Sequence, residues 1–166
     1  MKTKYLLDTN VFIAAYKTYY AFDLAPSFWR ILGEKSRTDD FAVIDKVKKE
    51  LAAMEDQLFN WFDQNYEGEI LSSNSATVVS AYGRIITKSE ASLKYMRKAK
   101  DDFADFNRAD AWIISHAAVL PATIVTEETA YRPECKNRVL IPNVCREENI
   151  PCINFFDFMR KNNFLL

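Results

Sequence analysis

Short apolar runs alternate along this chain with patterns of helical period, and this alternation restricts the folds that it can adopt. The run Tyr5–Leu7 stops at the polar residues Asp8–Asn10, and a helical pattern begins at Val11. Similar apolar runs occur at residues 41–44 and 123–126, each followed by polar residues. Strands that alternate with helices are typical of parallel sheets. The sequence therefore predicts an α/β fold with a central, mainly parallel sheet.

Local patterns also predict particular elements. Apolar residues spaced by four, three, four and four positions indicate one long helix that begins at Asp45. The apolar face of this helix consists of Val47, Leu51, Met54, Leu58 and Phe62. Asn107 is a predicted cap for a later helix. Two short strands are expected near the carboxyl terminus, at residues 139–141 and 152–154.

The length and composition suit one folded domain that spans residues 1–166. Hydrophobic residues make up 49% of the chain, which is enough apolar surface for a core. The three cysteines form no Cys-x-x-Cys pair, which disfavours a disulfide framework and a zinc knuckle. Asp8 interrupts the first apolar run too early for a signal peptide. Since no run of about 18 apolar residues is present either, we expect a cytoplasmic protein without a membrane span.

Several acidic residues fall where a parallel sheet binds its ligands, outside the carboxyl ends of the strands. Asp8 ends the first strand, and Glu127 and Glu128 end a later one. Glu50 borders an apolar helix face, and Asp110 lies in the first turn of another helix, on its apolar side. Buried carboxylates repel one another and destabilise the fold unless a cation compensates them. Mg²⁺ or Mn²⁺ suits such oxygen ligands, and either ion can activate a water molecule that attacks a phosphate.

Each of these charged residues also has a purely structural explanation when it is considered alone. Asp110 stands three residues after Asn107, which fits a capping box. Glu50 fits an exposed surface position, and residues 127–128 fit a turn. The basic residues of the segment 94–98 fit a solvated helix face, and the formal net charge of −1 gives no sign of nucleic acid. Only the acidic residues taken together favour a metal site.

Four motifs in the sequence resemble the PIN domain, and the resemblance covers nearly the whole chain. The opening YLLDTNVFIAAY contains the Asp-x-Asn motif with which PIN domains commonly end their first strand. The glutamate of VKKEL, Glu50, matches a glutamate at the start of a later helix. The helix ADAWIISHA begins with the "AD" pair at Asp110. The strand end IVTEE matches a Val-Thr-x-Asp pattern, with Glu128 in place of the usual aspartate.

This resemblance implies a three-layer α/β/α fold and an endoribonuclease that cuts single-stranded RNA with Mg²⁺ or Mn²⁺. The implied catalytic and metal-binding residues are Asp8, Glu50, Asp110 and Glu128, with Glu127 as an alternative fourth ligand. The implied substrate-binding residues are Asn10, Thr126, Lys94, Arg97 and Lys98. Lysine and arginine side chains would gather the RNA backbone by charge. We prefer Glu128 to Glu127 because of its separation from Asp110, and we expect Glu127 to face solvent.

The same resemblance extends to small bacterial proteins that are thought to act as toxins. It therefore raises the expectation of an antitoxin encoded nearby, and of a homodimer. Two other classes of protein stay open. A strand that ends in Asp-x-Asn also resembles the start of haloacid-dehalogenase-type phosphatases, although these carry a second aspartate where this chain has Asn10. The third class is a non-catalytic module that binds nucleic acid or protein.

Overall fold

A five-stranded sheet in which all strands are parallel forms the centre of the molecule. The computed structural model describes residues 4–128 and 131–166. The strands are β1 (Lys4–Leu7), β2 (Phe41–Ile44), β3 (Glu69–Leu71), β4 (Ala122–Val125) and β5 (Cys152–Ile153). They lie in the order β3-β2-β1-β4-β5, so the order reverses between β1 and β4. The carboxyl edge of the sheet at such a reversal is where α/β proteins bind their ligands.

Helices cover both faces of this sheet. They are α1 (Thr9–Ala14), α2 (Pro26–Ser36), α3 (Asp45–Ala53), α4 (Gln57–Asn65), α5 (Ala76–Ala91), α6 (Arg97–Phe103), α7 (Ala109–Val119), α8 (Ile141–Glu147) and α9 (Phe155–Lys161), with a π-helix at Ala15–Tyr19. The β1–β2 and β3–β4 connections run in opposite directions, and right-handed crossovers therefore place their helices on opposite faces. The predicted three-layer α/β/α fold is confirmed. Within residues 4–128 and 131–166, no helix is both long enough and apolar enough to cross a membrane.

The expectation of one long helix after Asp45 is wrong, because two helices occupy this stretch. The first, α3, ends at Ala53, and Glu55 adopts a left-handed backbone conformation with φ of 50°. The Asp56 side chain then accepts a hydrogen bond from the Phe59 amide (3.1 Å) and caps α4. Most of the predicted apolar face is nevertheless buried, on both sides of the break. An apolar period that continues across the break conceals it in the sequence.

Two other expected features also differ in the structure. Val139 and Leu140 are buried, but they form no strand, and α8 begins at Ile141. The N-cap of α7 is Arg108 rather than Asn107, and its side chain makes no capping hydrogen bond. A carboxylate from another helix takes that place, since Glu50 accepts the hydrogen bond of the first amide of α7.

Candidate metal centre

Asp8 lies directly after β1, at the reversal of strand order. Its backbone amide donates to the carbonyl oxygen of Val125 in the neighbouring β4 (3.0 Å). Its Oδ1 accepts a hydrogen bond from the Thr9 amide (2.8 Å), so Asp8 is the N-cap of α1. The Thr126 hydroxyl lies 2.9 Å from Oδ2. Asp8 is only 2% exposed, which places a carboxylate in the interior at the carboxyl edge of the sheet.

Glu128 reaches the same region from the end of β4. Its amide donates to the hydroxyl of Thr126 (3.1 Å), the hydroxyl that also contacts Asp8. Its Oε2 accepts a hydrogen bond from the Ile141 amide at the start of α8 (2.6 Å). Its Oε1 forms an ion pair with Arg138 (2.5 Å). The Glu128 side chain is 3% exposed, so both of its oxygens are held by partners inside the fold.

Glu127 turns away from Asp8 and stabilises other parts of the fold. Its Oε1 accepts a hydrogen bond from the Phe155 amide in the first turn of α9 (3.1 Å). Its Oε2 accepts one from the hydroxyl of Tyr19 (3.1 Å). The expectation that Glu127 faces solvent is wrong, because the residue is half-buried and both oxygens have partners.

Asn10 connects α1 to the end of β4. Its Oδ1 accepts a hydrogen bond from the Glu127 amide (2.9 Å) and lies 3.2 Å from the Thr126 hydroxyl. That hydroxyl has one proton, which it donates to either Asn10 or Asp8. Asn10 thus fixes the turn that carries the two glutamates, and its predicted contact with substrate stays a prediction.

Glu50 and Asp110 come from helices and differ in their bonding. Glu50 Oε1 accepts a hydrogen bond from the Ala109 amide (2.8 Å), and its Oε2 accepts a short one from the hydroxyl of Thr9. Glu50 therefore joins α3 to the starts of α7 and α1. Asp110 lies in the first turn of α7, and its carboxylate makes no hydrogen bond or ion pair with any described residue. Of the four predicted acids, Asp110 has the oxygens most available to a ligand.

The four acids influence one another electrostatically. Burial raises the pKa of Asp8 well above its usual value, and the charges of Asp110, Glu128 and Glu50 raise it further, against a hydrogen bond from Thr126. Burial also raises the pKa of Asp110, although nearby arginines oppose it. The pKa of Glu128 is raised by burial and by the charge of Asp110. We refer to Asp8, Glu50, Asp110 and Glu128 as the acid cluster.

Nearly the whole chain matches one protein family. The family model described as a domain of unknown function, DUF4411, matches residues 5–166. This chain belongs to the DUF4411 family. A search among curated proteins finds no match. The matched range includes the whole acid cluster, so the arrangement described here belongs to the DUF4411 domain itself.

The donor set of the DUF4411 site fits a hard divalent cation. As the side chains stand, no three Asp, Glu, His or Cys residues of ranges 4–128 and 131–166 are grouped closely enough to hold one ion together. Glu50 and Glu128 are each bound to a backbone amide. Mg²⁺, however, commonly keeps several waters and binds proteins through only one or two carboxylates. Asp8 and Asp110, whose charges influence each other, are the two residues that could hold such an ion.

Arginine side chains line the cavities beside the acid cluster, and sequence reasoning missed them. Arg138 and Arg132 line a cavity of about 460 Å³ that also contains Asn10, Lys17 and Glu128. Arg138 also lines a second cavity of about 140 Å³, together with Arg108 and Asp110. Arg108 directly precedes the "AD" pair, a signal that could have been noticed. Arg138 lies in an irregular segment whose sequence gives no such signal.

The predicted substrate-binding residues of the segment 94–98 contact other side chains of the protein. Arg97 forms ion pairs with Glu90 (2.6 Å) and Asp101 (2.8 Å), and Lys98 forms one with Asp102 (2.9 Å). The Lys94 ammonium lies 4.9 Å from the centre of the Tyr95 ring. Acidic partners thus offset part of the positive charge of α6, and RNA binding by these residues stays a prediction.

Proposed function

We propose that this DUF4411 protein is a metal-dependent endoribonuclease of the PIN-domain kind that hydrolyses single-stranded RNA. One observation carries the proposal. Asp8 is buried where the strand order reverses, and the three neighbouring charges that raise its pKa all belong to carboxylates. A fold that keeps four acids together in this way is destabilised unless a cation binds. The motif resemblance to PIN domains supports the same assignment independently.

In this mechanism each residue of the cluster has its own task. Asp8 and Asp110 would hold Mg²⁺ or Mn²⁺, and Glu50 and Glu128 would orient its water ligands. When bound, the ion supplies activation of a water molecule and stabilises the charge that develops on the phosphate. The Thr126 hydroxyl fixes the rotamer of Asp8 by its hydrogen bond.

Arginines beside the cluster supply the contacts to the substrate backbone. Arg108 and Arg138 both lie close enough to Asp110 to lower its pKa, and both are about half exposed. Guanidinium groups bind phosphate oxygens in a bidentate manner, which suits them to hold the RNA next to the acids. Arg138 would exchange its bond with Glu128 for a bond with phosphate.

A phosphatase is the weaker assignment for the same site. A nucleophilic aspartate in a phosphatase of the haloacid-dehalogenase type works with a second acid two residues later, and Asn10 has no carboxyl proton to transfer. Both oxygens of Asp8 also lie within hydrogen-bond distance of a donor. The antitoxin, the homodimer and the cytoplasmic location all stay predictions, and the gene beside this one tests the first of them.

The proposal is tested by cleavage and by metal binding. Labelled single-stranded RNA should be cut with Mn²⁺ or Mg²⁺ and stay intact in excess chelator. Mn²⁺ at about 100 times its dissociation constant should raise the free energy of unfolding by about 2.7 kcal/mol. Asp110→Asn should lose both effects, whereas Asp63→Asn, at an exposed acid on α4, should keep them. Cleavage in chelator, or faster hydrolysis of a small phosphoester than of RNA, would overturn it.

A further inference from the structure

Phe106 is an exposed aromatic residue that is held rigidly in the turn before α7. It is 58% exposed. The indole Nε1 of Trp112 donates to the carbonyl oxygen of Phe106 (3.0 Å), and the two rings meet at 90° with centres 5.3 Å apart. The Tyr82 ring stacks on that of Trp112, with ring centres 3.9 Å apart. We refer to Tyr82, Phe106 and Trp112 as the aromatic cluster, of which Phe106 is the exposed member.

One cationic side chain packs against the exposed ring, and another follows it closely in the sequence. The Lys46 ammonium lies 3.7 Å from the centre of the Phe106 ring and 5.1 Å from that of Trp112. Lys46 is only 4% exposed, so its ammonium packs against the ring rather than facing solvent. Arg108 follows two residues after Phe106 and is half exposed. A rigid aromatic surface among cationic side chains is the usual platform for single-stranded nucleic acid.

The aromatic cluster adjoins the acid cluster on two elements. Lys46 and Glu50 are four residues apart on α3, which places them on one face of that helix, one turn apart. Trp112 follows Asp110 by two residues in α7. The hydrogen bond from the Ala109 amide to Glu50 fixes these two helices against each other (2.8 Å). An RNA strand bound at the acids therefore passes next to Phe106.

We propose that Phe106 stacks on a base of the single-stranded RNA substrate, and that Arg108 binds a phosphate next to that base. This inference rests on the proposed function, since it takes the acid cluster as the site of cleavage. The Lys46 ammonium covers one face of the Phe106 ring, and the exposed remainder of the ring is open to a flat base. Stacking of this kind tolerates any base, and the site would select for single-strandedness rather than for sequence.

Binding of labelled oligouridine in excess chelator tests the inference, because cleavage is then blocked. Phe106→Ala should weaken binding about tenfold, whereas Phe106→Tyr, which keeps an aromatic ring, should bind with wild-type affinity. Leu24→Ala, at an exposed apolar residue in the β1–β2 connection, should leave affinity unchanged. Arg108→Gln should reduce the slope of log affinity against log salt by about 0.7. A thermal melt of each variant checks its folding.

Each outcome separates the inference from the proposed function. Wild-type affinity in Phe106→Ala, or equal losses in Phe106→Ala and Phe106→Tyr, would overturn stacking while leaving the nuclease intact. If the variants bind as expected and no metal supports cleavage, the proposed nuclease activity is wrong and base stacking on Phe106 is retained. If the RNA does not bind at all, the platform is wrong.

Discussion

Two polar groups lie at the carboxyl edge of the same sheet, and the pKa values of their aspartates are shifted in opposite directions. In the first, Asp45 at the end of β2 accepts hydrogen bonds from the hydroxyl (2.5 Å) and the amide (3.1 Å) of Ser73. That hydroxyl lies 3.3 Å from Nε2 of the buried His116. Burial acts to raise the pKa of Asp45, but the bonds from Ser73, together with the amide and the charge of Lys46, outweigh it, and the pKa is lowered. We refer to these three residues as the Asp45 group.

The acid cluster shows the reverse behaviour. The pKa of Asp8 is raised by burial and by three neighbouring carboxylates, and Asp110 has no hydrogen-bond partner among the described residues. A polar group whose bonds are satisfied stabilises a fold, whereas like charges kept together destabilise it. The Asp45 group thus joins the end of β2 to the segment after β3, whereas the unsatisfied charges of the acid cluster support our proposal that it binds a cation.

The largest expected contrast is between Asp110→Asn and Asp45→Ala. Asp110→Asn should lower RNA cleavage by at least about 100-fold, since it removes a proposed metal ligand, without lowering the free energy of unfolding. Asp45→Ala should cost about 1–3 kcal/mol of stability, because the buried Ser73 loses its acceptor, and should keep activity per folded molecule. Cleavage rates and urea unfolding measure the two effects. If both variants lost stability equally, the contrast between the two groups would be wrong.

A smaller contrast is expected between the two adjacent glutamates. Glu128→Gln should reduce turnover about 10- to 100-fold, because Glu128 shares the electrostatic environment of Asp110. Glu127→Gln should stay within a few-fold of the wild type, since a glutamine still accepts the hydrogen bond from the Phe155 amide. Single-turnover cleavage at saturating Mn²⁺ is the measurement. The reverse ranking would move the fourth acid to Glu127 and leave the nuclease assignment in place.

Sequence patterns predicted the central strands because those strands carry the strongest signal. β2 is buried along its whole length, and β1 ends in two buried leucines, so both appear as apolar runs that stop at polar residues. β3 lies at the sheet edge, and two of its three residues are exposed, which leaves no apolar run to detect. The helix break at Glu55 is hidden for another reason, since the apolar period continues through it.

The candidate site was predictable only in part, for the same physical reason. Strand ends and the first turns of helices place Asp8 and Asp110 by local rules that a sequence displays. The Ala109 amide that holds Glu50 is 59 residues away in the chain, and Arg138, which holds Glu128, lies ten residues after it in a segment without regular structure. Such contacts depend on tertiary packing, and no local sequence pattern predicts them.

The smallest expected contrast lies in the pH dependence of stability without metal. A raised pKa means that folded Asp8 keeps its proton where the unfolded chain has lost it. The free energy of unfolding should therefore fall as pH rises from about 4, the unfolded value, through the higher pKa of the folded state. Asp45 has the opposite sign, because its lowered pKa adds stability above about 4 that is lost as pH falls below it.

Matched variants separate these two contributions in one set of urea titrations from pH 3 to 8. Asp8→Asn keeps the cap of α1 and removes one titrating group, so it should reduce the fall in stability above about pH 4, to which Asp110 and Glu128 also contribute. Asp45→Asn should reduce the loss below that pH, to which Glu148 also contributes through its lowered pKa, and leave the fall above it unchanged. Saturating Mn²⁺ should remove the Asp8 dependence in the wild type, since a bound cation favours the ionised carboxylate in the folded state. A wild-type protein whose stability rises steadily up to pH 8 without metal would show that Asp8 is stabilised as an anion, and the two polar groups would then be alike.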